Sequence, residues 1–242
     1  MMKKLAVKRA VLLAAGRGKR LRPHTDTTPK PLLVHRGKPT LDYLLGSLLS
    51  AGVDEVILVV NYRGEQIEQY ARLWSAGHKQ AVEVVYQSHL FGTAHALQEV
   101  IEERPEFVQE PFVLSATDYL VPGSFFSDFL HFHAEHDGDL SVSMKALDDA
   151  ELASRSSVRF TDDQCIAEIV EKPVAGTAPS NVGANLTFVL PPSIVAYVDD
   201  VSVSPRGERE IQQAINAWLS EGGVARGLLQ STPAEWSAGA HA

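Results

Sequence analysis

The chain has 242 residues, 45% of them hydrophobic, a formal net charge of −8 and a single cysteine, Cys165. Because affinity for a nucleic-acid backbone comes from a basic face, this acidic balance argues against a general nucleic-acid binder. One cysteine excludes a disulfide framework and a cysteine-rich zinc site. The length predicts a single domain, residues 1–242, since domains typically hold roughly 100 to 200 residues.

The N-terminal residues do not form a typical targeting or membrane segment. Lys8 and Arg9 interrupt the apolar residues, whose continuous part covers only positions 10–15. That run is shorter than the apolar region of a signal peptide and much shorter than the roughly 20 residues of a transmembrane helix. We therefore expect a cytoplasmic protein without a membrane partner.

The first predicted strand, residues 10–15, leads directly into a glycine-rich, cationic loop. Gly16 and Gly18 lack a Cβ atom, so the backbone can approach a ligand closely there. The cations of the loop are Arg17, Lys19, Arg20, Arg22 and Lys30. Free backbone N–H groups together with positive charge favour binding of a polyphosphate. The spacing matches neither a P-loop nor a dinucleotide fingerprint, and three prolines predict an extended segment.

Helices and strands alternate through the rest of the first half. Apolar spacing predicts helices over 40–51, 65–74 and 93–101, and strands over 56–60, 82–86 and 111–116. This alternation is typical of right-handed βαβ units in a parallel sheet that is covered on both faces. Ligands then bind at the carboxyl ends of the strands, where the Gly16 loop lies.

The sequence pattern of the second half of the chain predicts both parallel and antiparallel strand pairs. A helix over 125–136 and a strand over 140–147 precede a hairpin formed by 158–160 and 166–170, and further elements follow at 186–190, 208–219 and 224–230. The expected fold class is α/β, a Rossmann-like three-layer sandwich with a mixed, mainly parallel central sheet.

Polar residues follow two of the predicted strands. Gln87 ends the third strand, and Gly92-Thr93 opens the next helix. An amide both donates and accepts hydrogen bonds, which suits a base edge, and a glycine permits close packing against a flat ring. Asp118 follows the strand over 111–116, where a carboxylate beside a phosphate-binding loop is a natural magnesium ligand. A plain strand-end amide and a strand-capping carboxylate are the alternatives.

Residues 11–33 resemble the signature of the sugar-1-phosphate nucleotidyltransferases, Leu-Ala-Ala-Gly-x-Gly-Thr-Arg-Leu-x-Pro-x-Thr-x-x-x-Pro-Lys-Pro-Leu-Leu. Lys19 is the one departure, at a position where the family usually has Thr. The resemblance implies a GT-A-like fold whose residues 1–120 bind the nucleotide and whose residues 121–242 bind the acceptor. It also implies that a nucleoside triphosphate and a sugar 1-phosphate, or a related phosphorylated acceptor, react with Mg2+ as cofactor to give a nucleotide sugar and pyrophosphate.

The resemblance also implies roles for individual residues. The catalytic residues would be Arg20, Lys30 and Asp118, with Asp118 as the metal ligand. The nucleotide-binding residues would be Leu13, Ala14, Ala15, Gly16, Gly18, Lys19, Gln87, Gly92 and Thr93. A Glu-Lys-Pro element at 171–173 and an Arg-Gly-Glu-x-Glu-Ile element at 206–211 contribute to the acceptor-binding residues, which would be Glu171, Lys172, Asn185 and Arg206. For Lys172 a solvated charge at a strand edge is the alternative, and for Arg206 an ordinary surface arginine.

Two departures from the family pattern affect the predicted function. Ser156-Ser157 replaces the usual Tyr-Gly, and Trp236–Ala240 lacks the aspartate that supplies a second magnesium ligand in the family. An unusual acceptor is therefore expected. The resemblance at Gln87 and the Gly-Thr-Ala turn implies a pyrimidine triphosphate, and homo-oligomerisation stays open. The alternative is a nucleotide- or sugar-nucleotide-binding regulatory protein of the same fold without turnover. A glycosyltransferase with a related fold is disfavoured, because the signature loop over residues 11–33 resembles that of the nucleotidyltransferases.

Overall fold

The computed structural model describes residues 6–152, 154–230 and 234–235. In that part of the chain the strands are β1 (Arg9–Leu13), β2 (Val34–His35), β3 (Lys38–Pro39), β4 (Glu55–Val60), β5 (Ala81–Tyr86), β6 (Phe112–Ala116), β7 (Tyr119–Leu120), β8 (Leu140–Ala146), β9 (Ser156–Phe160), β10 (Ile166–Glu171), β11 (Val182–Leu190), β12 (Ala225–Leu229) and β13 (Ala234–Glu235). The helices are α1 (Thr40–Ser50), α2 (Gly64–Gly77), α3 (Thr93–Glu103), α4 (Phe125–Glu135), α5 (Asp149–Leu152), α6 (Val195–Val198) and α7 (Ile211–Ser220).

Seven strands form the central sheet, in the order β12-β8-β11-β6-β1-β4-β5. Strand β1 pairs in parallel with β4 and β6, β4 pairs in parallel with β5, and β8 pairs in parallel with β12. Strand β11 runs antiparallel between β6 and β8. The predicted mixed, mainly parallel sheet is confirmed. The carboxyl ends of six strands and the amino end of β11 therefore share one edge, called the carboxyl edge below.

Helices cover both faces of this sheet. Val11 packs in one apolar core with α3 and α7, whereas its neighbour Leu12 packs in a second core with α1, α2 and α4. Both residues are fully buried, because successive side chains of a strand point to opposite faces. A strand with a core on each side carries a continuous apolar run, as β1 does. The predicted three-layer arrangement is confirmed.

The loop after β1 is not extended, so the prediction made from its prolines is wrong. The loop folds into three short 3-10 turns, Lys19–Leu21, His24–Asp26 and Lys30–Leu32. The carbonyls of Pro23 and Pro29 each accept an N–H group three residues later, at 3.0 and 2.9 Å. Proline fixes φ near −65°, which suits a turn as well as an extended chain.

Three elements of the second half begin two or more residues from their predicted start. Strand β9 begins at Ser156 rather than at residue 158, strand β11 at Val182 rather than at residue 186, and helix α7 at Ile211 rather than at residue 208. The backbone of Arg209 explains the later helix start, because its N–H donates to Phe91 and its carbonyl accepts from Ala94. A residue held by these non-local bonds cannot also form the first turn of α7.

Candidate functional site

The glycine-rich loop and Asp118 meet at the carboxyl edge of the sheet. Strands β1 and β6 are neighbours, with Leu13 opposite Ala116. The Thr117 hydroxyl donates to the Leu13 carbonyl at 2.9 Å and ties the two strand ends together. The loop that leaves β1 therefore lies beside the chain that leaves β6, in the place where parallel sheets bind ligands.

The two glycines of the loop have different surroundings. Gly18 has φ of +60°, and a Cβ atom there would lie 2.8 Å from Thr25 Cγ2 and 3.3 Å from Lys30 Cβ. The Thr25 hydroxyl also donates to the Gly18 carbonyl at 3.0 Å. Gly16 is exposed, and a Cβ atom there would meet nothing within 4 Å among the described residues. Packing thus explains Gly18, whereas the surface beside Gly16 is open to a ligand.

Lys30 and Asp118 form an ion pair across 88 positions of sequence. Lys30 Nζ donates to Asp118 Oδ2 at 2.9 Å, and the two side chains are 19% and 30% exposed. The other carboxylate oxygen, Asp118 Oδ1, is buried and has no hydrogen-bond partner within the described ranges. A buried oxygen without a donor is costly, so a cation that binds Oδ1 would fit here. The described residues contain no group of three or more His, Cys, Asp or Glu that could hold a metal ion, so Asp118 would bind such a cation outside any cluster of that kind.

A neighbouring loop holds the 3-10 turns in place. The Tyr62 hydroxyl, just after β4, donates to the Thr25 carbonyl at 3.0 Å, and Gln66 of α2 donates to a loop carbonyl at 3.1 Å. The Arg17 guanidinium lies over the Tyr62 ring, 6.0 Å from its centroid. The exposed cations of the loop are Arg17, Lys19, Arg20 and Arg22. Tyr62 is not among the residues that the sequence predicts, and its position after a parallel strand is the one signal for it.

Gln87, Gly92 and Thr93 lie together at the start of α3. Gln87 is 4% exposed, and its Nε2 donates to the Gly92 carbonyl at 3.1 Å. Gly92 has φ of +101°, and a Cβ atom there would lie 2.5 Å from the Arg209 carbonyl oxygen. The Thr93 hydroxyl accepts the N–H of Ile211 at 2.9 Å. The Cβ side of Gly92 is thus filled by the protein's own backbone, and contact of this turn with a flat ring stays a prediction.

Glu171 and Arg206 belong to a charged cluster between β10 and α7. Arg206 forms an ion pair with the buried Glu210. Lys172 Nζ lies 3.6 Å from one Glu171 oxygen, and Gln212 Nε2 donates to the other at 3.1 Å. Burial raises the pKa of the Glu171 carboxyl, and the positive charge of Lys172 partly offsets this effect. Two cations and two carboxylates thus lie close together, so the cluster can contact both charged and hydroxyl groups.

Asn185 takes part in a different set of hydrogen bonds at the same edge. Its Nδ2 donates to Ser143 Oγ at 3.0 Å, and Ser143 donates to Gln230 Oε1 at 2.9 Å. The nearby Lys145, 6% exposed on β8, bonds to Glu151 and lowers the pKa of that carboxyl. Lys145 and Glu151 are not predicted from the sequence, because a single lysine in a strand pattern gives no sign of burial.

Comparison with known proteins gives the family. Residues 9–237 match the family model described as nucleotidyl transferase. The chain belongs to the nucleotidyl transferase family. Among its relatives is a UTP–glucose-1-phosphate uridylyltransferase of Haloferax volcanii, 32% identical over 216 residues that cover 88% of this chain and 84% of the relative.

Other relatives of this nucleotidyl transferase are longer proteins. A low-salt glycan biosynthesis nucleotidyltransferase of Haloferax volcanii is 30% identical over 88% of this chain, and the match spans 58% of the relative. The mannose-1-phosphate guanylyltransferase catalytic subunit beta of Drosophila pseudoobscura pseudoobscura is 30% identical over 79% of this chain, which spans 50% of that relative. A crystal structure of UDP-glucose pyrophosphorylase complexed with UDP-glucose superimposes with a TM-score of 0.81, at 21% identity over 93% of this chain and 92% of the other. The chain therefore shares the fold of UDP-glucose pyrophosphorylase.

The C-terminal part of this nucleotidyl transferase returns towards Asp118. Strand β13 pairs antiparallel with β7, and Glu235 lies opposite Tyr119, the residue after Asp118. The stretch Trp236–Ala240, whose sequence lacks a carboxylate for a second metal ligand, lies outside the described residues. Across the described ranges, no helix is long and apolar enough to cross a membrane.

Proposed function

We propose that this nucleotidyl transferase joins a nucleoside triphosphate to a sugar 1-phosphate and releases pyrophosphate. The observation that carries the proposal is the Lys30–Asp118 pair beside the Gly16 loop, with one Asp118 oxygen left without a donor. An anion-binding loop, a cation and a metal-binding carboxylate in one place are what transfer between phosphates requires. Two relatives are named for uridylyl or guanylyl transfer to a sugar 1-phosphate, which supports the same reaction class.

The proposed reaction is an in-line displacement at the α-phosphorus. A phosphate oxygen of the sugar 1-phosphate forms the new P–O bond, and the bond from the α-phosphorus to the bridging oxygen breaks, so that this oxygen leaves with pyrophosphate. No general base is needed, because the attacking oxygen is already anionic. Positioning and charge neutralisation are the work of the protein. Lys30 would contact the α-phosphate or the leaving group, and Arg20 the leaving pyrophosphate.

Asp118 is the residue that would hold Mg2+, through the oxygen that lacks a donor. When bound, the ion would neutralise charge on the phosphate oxygens. Magnesium usually takes one or two protein carboxylates and completes its shell with phosphates and water, so a single aspartate in the described residues is sufficient for this role. The backbone and side chains of Leu13, Ala14, Ala15, Gly16, Gly18 and Lys19 would surround the triphosphate.

For the two substrates we propose a pyrimidine triphosphate and a hexose 1-phosphate or similar acceptor. Gln87 and the Gly92-Thr93 turn would contact the base. Glu171, Lys172, Asn185 and Arg206 would contact the acceptor. The buried Gln212 Oε1 has no donor among the described residues, which suits a sugar hydroxyl. Nucleoside triphosphates are abundant in the cytoplasm, and we propose that the protein acts there.

The test is pyrophosphate release with Mg2+ across the common nucleoside triphosphates and a panel of sugar 1-phosphates. Release with one pair of substrates, lost in Arg20→Ala and Lys30→Ala, is the expected result. Lys8→Ala is the matched control, because Lys8 pairs with the exposed Asp54 at the opposite edge of the sheet. No release with any pair, despite nucleotide binding by calorimetry, would contradict the proposal and support a regulatory role.

A further inference from the structure

The hydrogen bonds around Gln87 determine which of its polar atoms faces a ligand. The Gly92 carbonyl can only accept, so the atom 3.1 Å from it must be the amide nitrogen Nε2. The same nitrogen lies 3.1 Å from His95 Nδ1. Both hydrogens of the amide are therefore used within the protein, one by Gly92 and one by His95. Among the described residues nothing donates to Gln87 Oε1, so this oxygen is the atom left for a ligand.

The same geometry determines the protonation state of His95. An amide NH2 group can only donate, so His95 Nδ1 must accept and cannot carry a hydrogen. The imidazole is then neutral, with its hydrogen on Nε2, which lies 3.8 Å from Glu99 Oε1. The two side chains are 15% and 14% exposed. Glu99 is in turn held by Ser88, whose N–H and hydroxyl donate to it at 2.8 and 2.6 Å.

We infer that His95 is a positioning residue, which holds the Gln87 amide so that Gln87 offers the nucleobase a hydrogen-bond acceptor and no donor. This inference rests on the proposed function, since it concerns the base-binding end of the same site. The favoured bases are those that place a ring N–H opposite Gln87, as the imide N3–H of uracil does. His95 does not contact the base in this arrangement and acts through Gln87 alone.

A hydrogen on His95 Nδ1 is incompatible with the hydrogen bonds of the Gln87 amide, whichever way the amide is oriented. With a hydrogen on Nδ1, two donors face each other if Gln87 keeps its orientation. If the amide rotates, its oxygen meets the His95 hydrogen but also faces the Gly92 carbonyl, which is another acceptor. The charged or titratable groups around the imidazole are Glu99 and Glu102 on the same helix, His89 before it, and Arg209 on the segment packed against it. A hydrogen on Nδ1 thus removes the hydrogen bond that holds the Gln87 amide, so acidification that protonates this nitrogen weakens nucleotide binding.

The first test measures the dissociation constants of UTP and 3-methyl-UTP by calorimetry between pH 5.5 and 8. The wild type should bind UTP, bind 3-methyl-UTP at least tenfold more weakly, and lose affinity for UTP as the pH falls. His95→Leu should bind UTP about 5- to 10-fold more weakly at pH 8, as expected for one lost hydrogen bond, and should lose most of the dependence on pH. His95→Asn places an oxygen near the position of Nδ1, so it should bind UTP within about twofold of the wild type at pH 8 without the acid-induced loss.

The second test measures directly which nitrogen of His95 carries a hydrogen, in protein without nucleotide. Two-bond 15N–1H spectra of the wild type should show His95 Nδ1 without a hydrogen at pH 8, and the Gln87 side-chain amide resonances should shift in His95→Leu. A hydrogen on Nδ1, or a leucine variant with the UTP affinity and pH profile of the wild type, would overturn the inference. If no triphosphate binds to the wild type, the proposed function fails, while the spectra still decide the state of His95.

Discussion

At the scale of single residues, Gly16 and Gly18 both lack a Cβ atom, but this has a different consequence at each position. Gly18 adopts a left-handed backbone, and an added Cβ atom there would collide with Thr25 and crowd Lys30, so a glycine there shapes the loop. Gly16 has neither a positive φ nor a close neighbour among the described residues. If the loop binds a triphosphate, Gly16 is the position where a side chain would obstruct the ligand without disturbing the free protein.

Gly16→Ala is therefore expected to keep the stability of the wild type and to lose nucleotide affinity. The free energy of unfolding should change by less than about 0.5 kcal/mol, because the added methyl group meets no atom. The dissociation constant of the preferred triphosphate should rise at least tenfold, measured by calorimetry alongside thermal unfolding. Gly77→Ala, at the end of α2, where an added Cβ atom also meets nothing within 4 Å, is the control and should leave the dissociation constant unchanged. Unchanged affinity in Gly16→Ala would place the phosphates elsewhere.

The start of α3 and residues 206–211 act together as one structural element. Arg209 N donates to Phe91, Ala94 N donates to Arg209, and Ile211 N donates to Thr93. The Arg209 side chain also donates to carbonyls at the end of α6 and just beyond it. These hydrogen bonds join the predicted base-binding turn to the segment that carries Arg206. The two ends of the candidate site are therefore connected through the backbone.

Gly92→Ala is expected to destabilise the protein, because the new Cβ atom would lie 2.5 Å from the Arg209 carbonyl oxygen at a φ of +101°. A loss of about 1 to 3 kcal/mol in the free energy of unfolding follows from the strained backbone and the displaced segment. Gly46→Ala should instead gain about 0.5 to 1 kcal/mol, since Gly46 lies within α1 and an added Cβ atom meets nothing within 4 Å. Urea unfolding measures both, and equal stability of the two variants would contradict this view of the α3 start.

Local patterns predict the elements of the sheet well and the irregular segments poorly. The run of apolar residues over 56–60 predicts the strand observed as β4 at Glu55–Val60. The late start of α7 depends on backbone hydrogen bonds to distant residues, which no local pattern contains. The 3-10 turns after β1 are closed by local bonds, but they are held in place by Tyr62 and Gln66, which are also distant in sequence. For the site, the parallel sheet predicts that Gly16 and Asp118 share an edge. The ion pair between Lys30 and Asp118, and the burial of Lys145, require the three-dimensional structure.

At the scale of the whole molecule, charge is unevenly distributed. One half-buried carboxylate in the candidate acceptor site lowers the stability of the folded protein. The chain is acidic overall, yet its first loop concentrates cations where phosphates would bind. Glu171 is a carboxylate whose pKa burial raises above the ordinary value of 4.5, with Glu210 adding repulsion. The stabilising contribution of a group with a raised pKa is complete below its unfolded pKa and is lost as the pH rises through its folded pKa. At neutral pH the ionised Glu171 therefore lowers the free energy of unfolding.

Glu171→Gln is expected to raise the melting temperature at pH 7 and to leave it nearly unchanged at pH 4. The amide keeps an acceptor for Gln212 and removes the charge, so the difference from the wild type should grow as the pH rises above 4.5. Thermal unfolding at several pH values measures this difference. Glu168→Gln, on the same strand with a 43% exposed side chain, is the control and should show no such trend. A variant with a constant or falling difference would contradict the raised pKa.

The measurement that tests the proposed reaction most directly is 31P NMR of the preferred triphosphate and sugar 1-phosphate with the enzyme and Mg2+. The reactant signals should be replaced by those of pyrophosphate and of a pyrophosphate diester, the nucleotide sugar. Asp118→Asn keeps an acceptor for Lys30 but loses the charge for the metal, so its kcat/KM should fall by about 10²-fold or more. Asp54→Asn, an exposed aspartate at the opposite edge, should retain full activity. Inorganic phosphate in place of the diester, or full activity in Asp118→Asn, would contradict nucleotidyl transfer at this site.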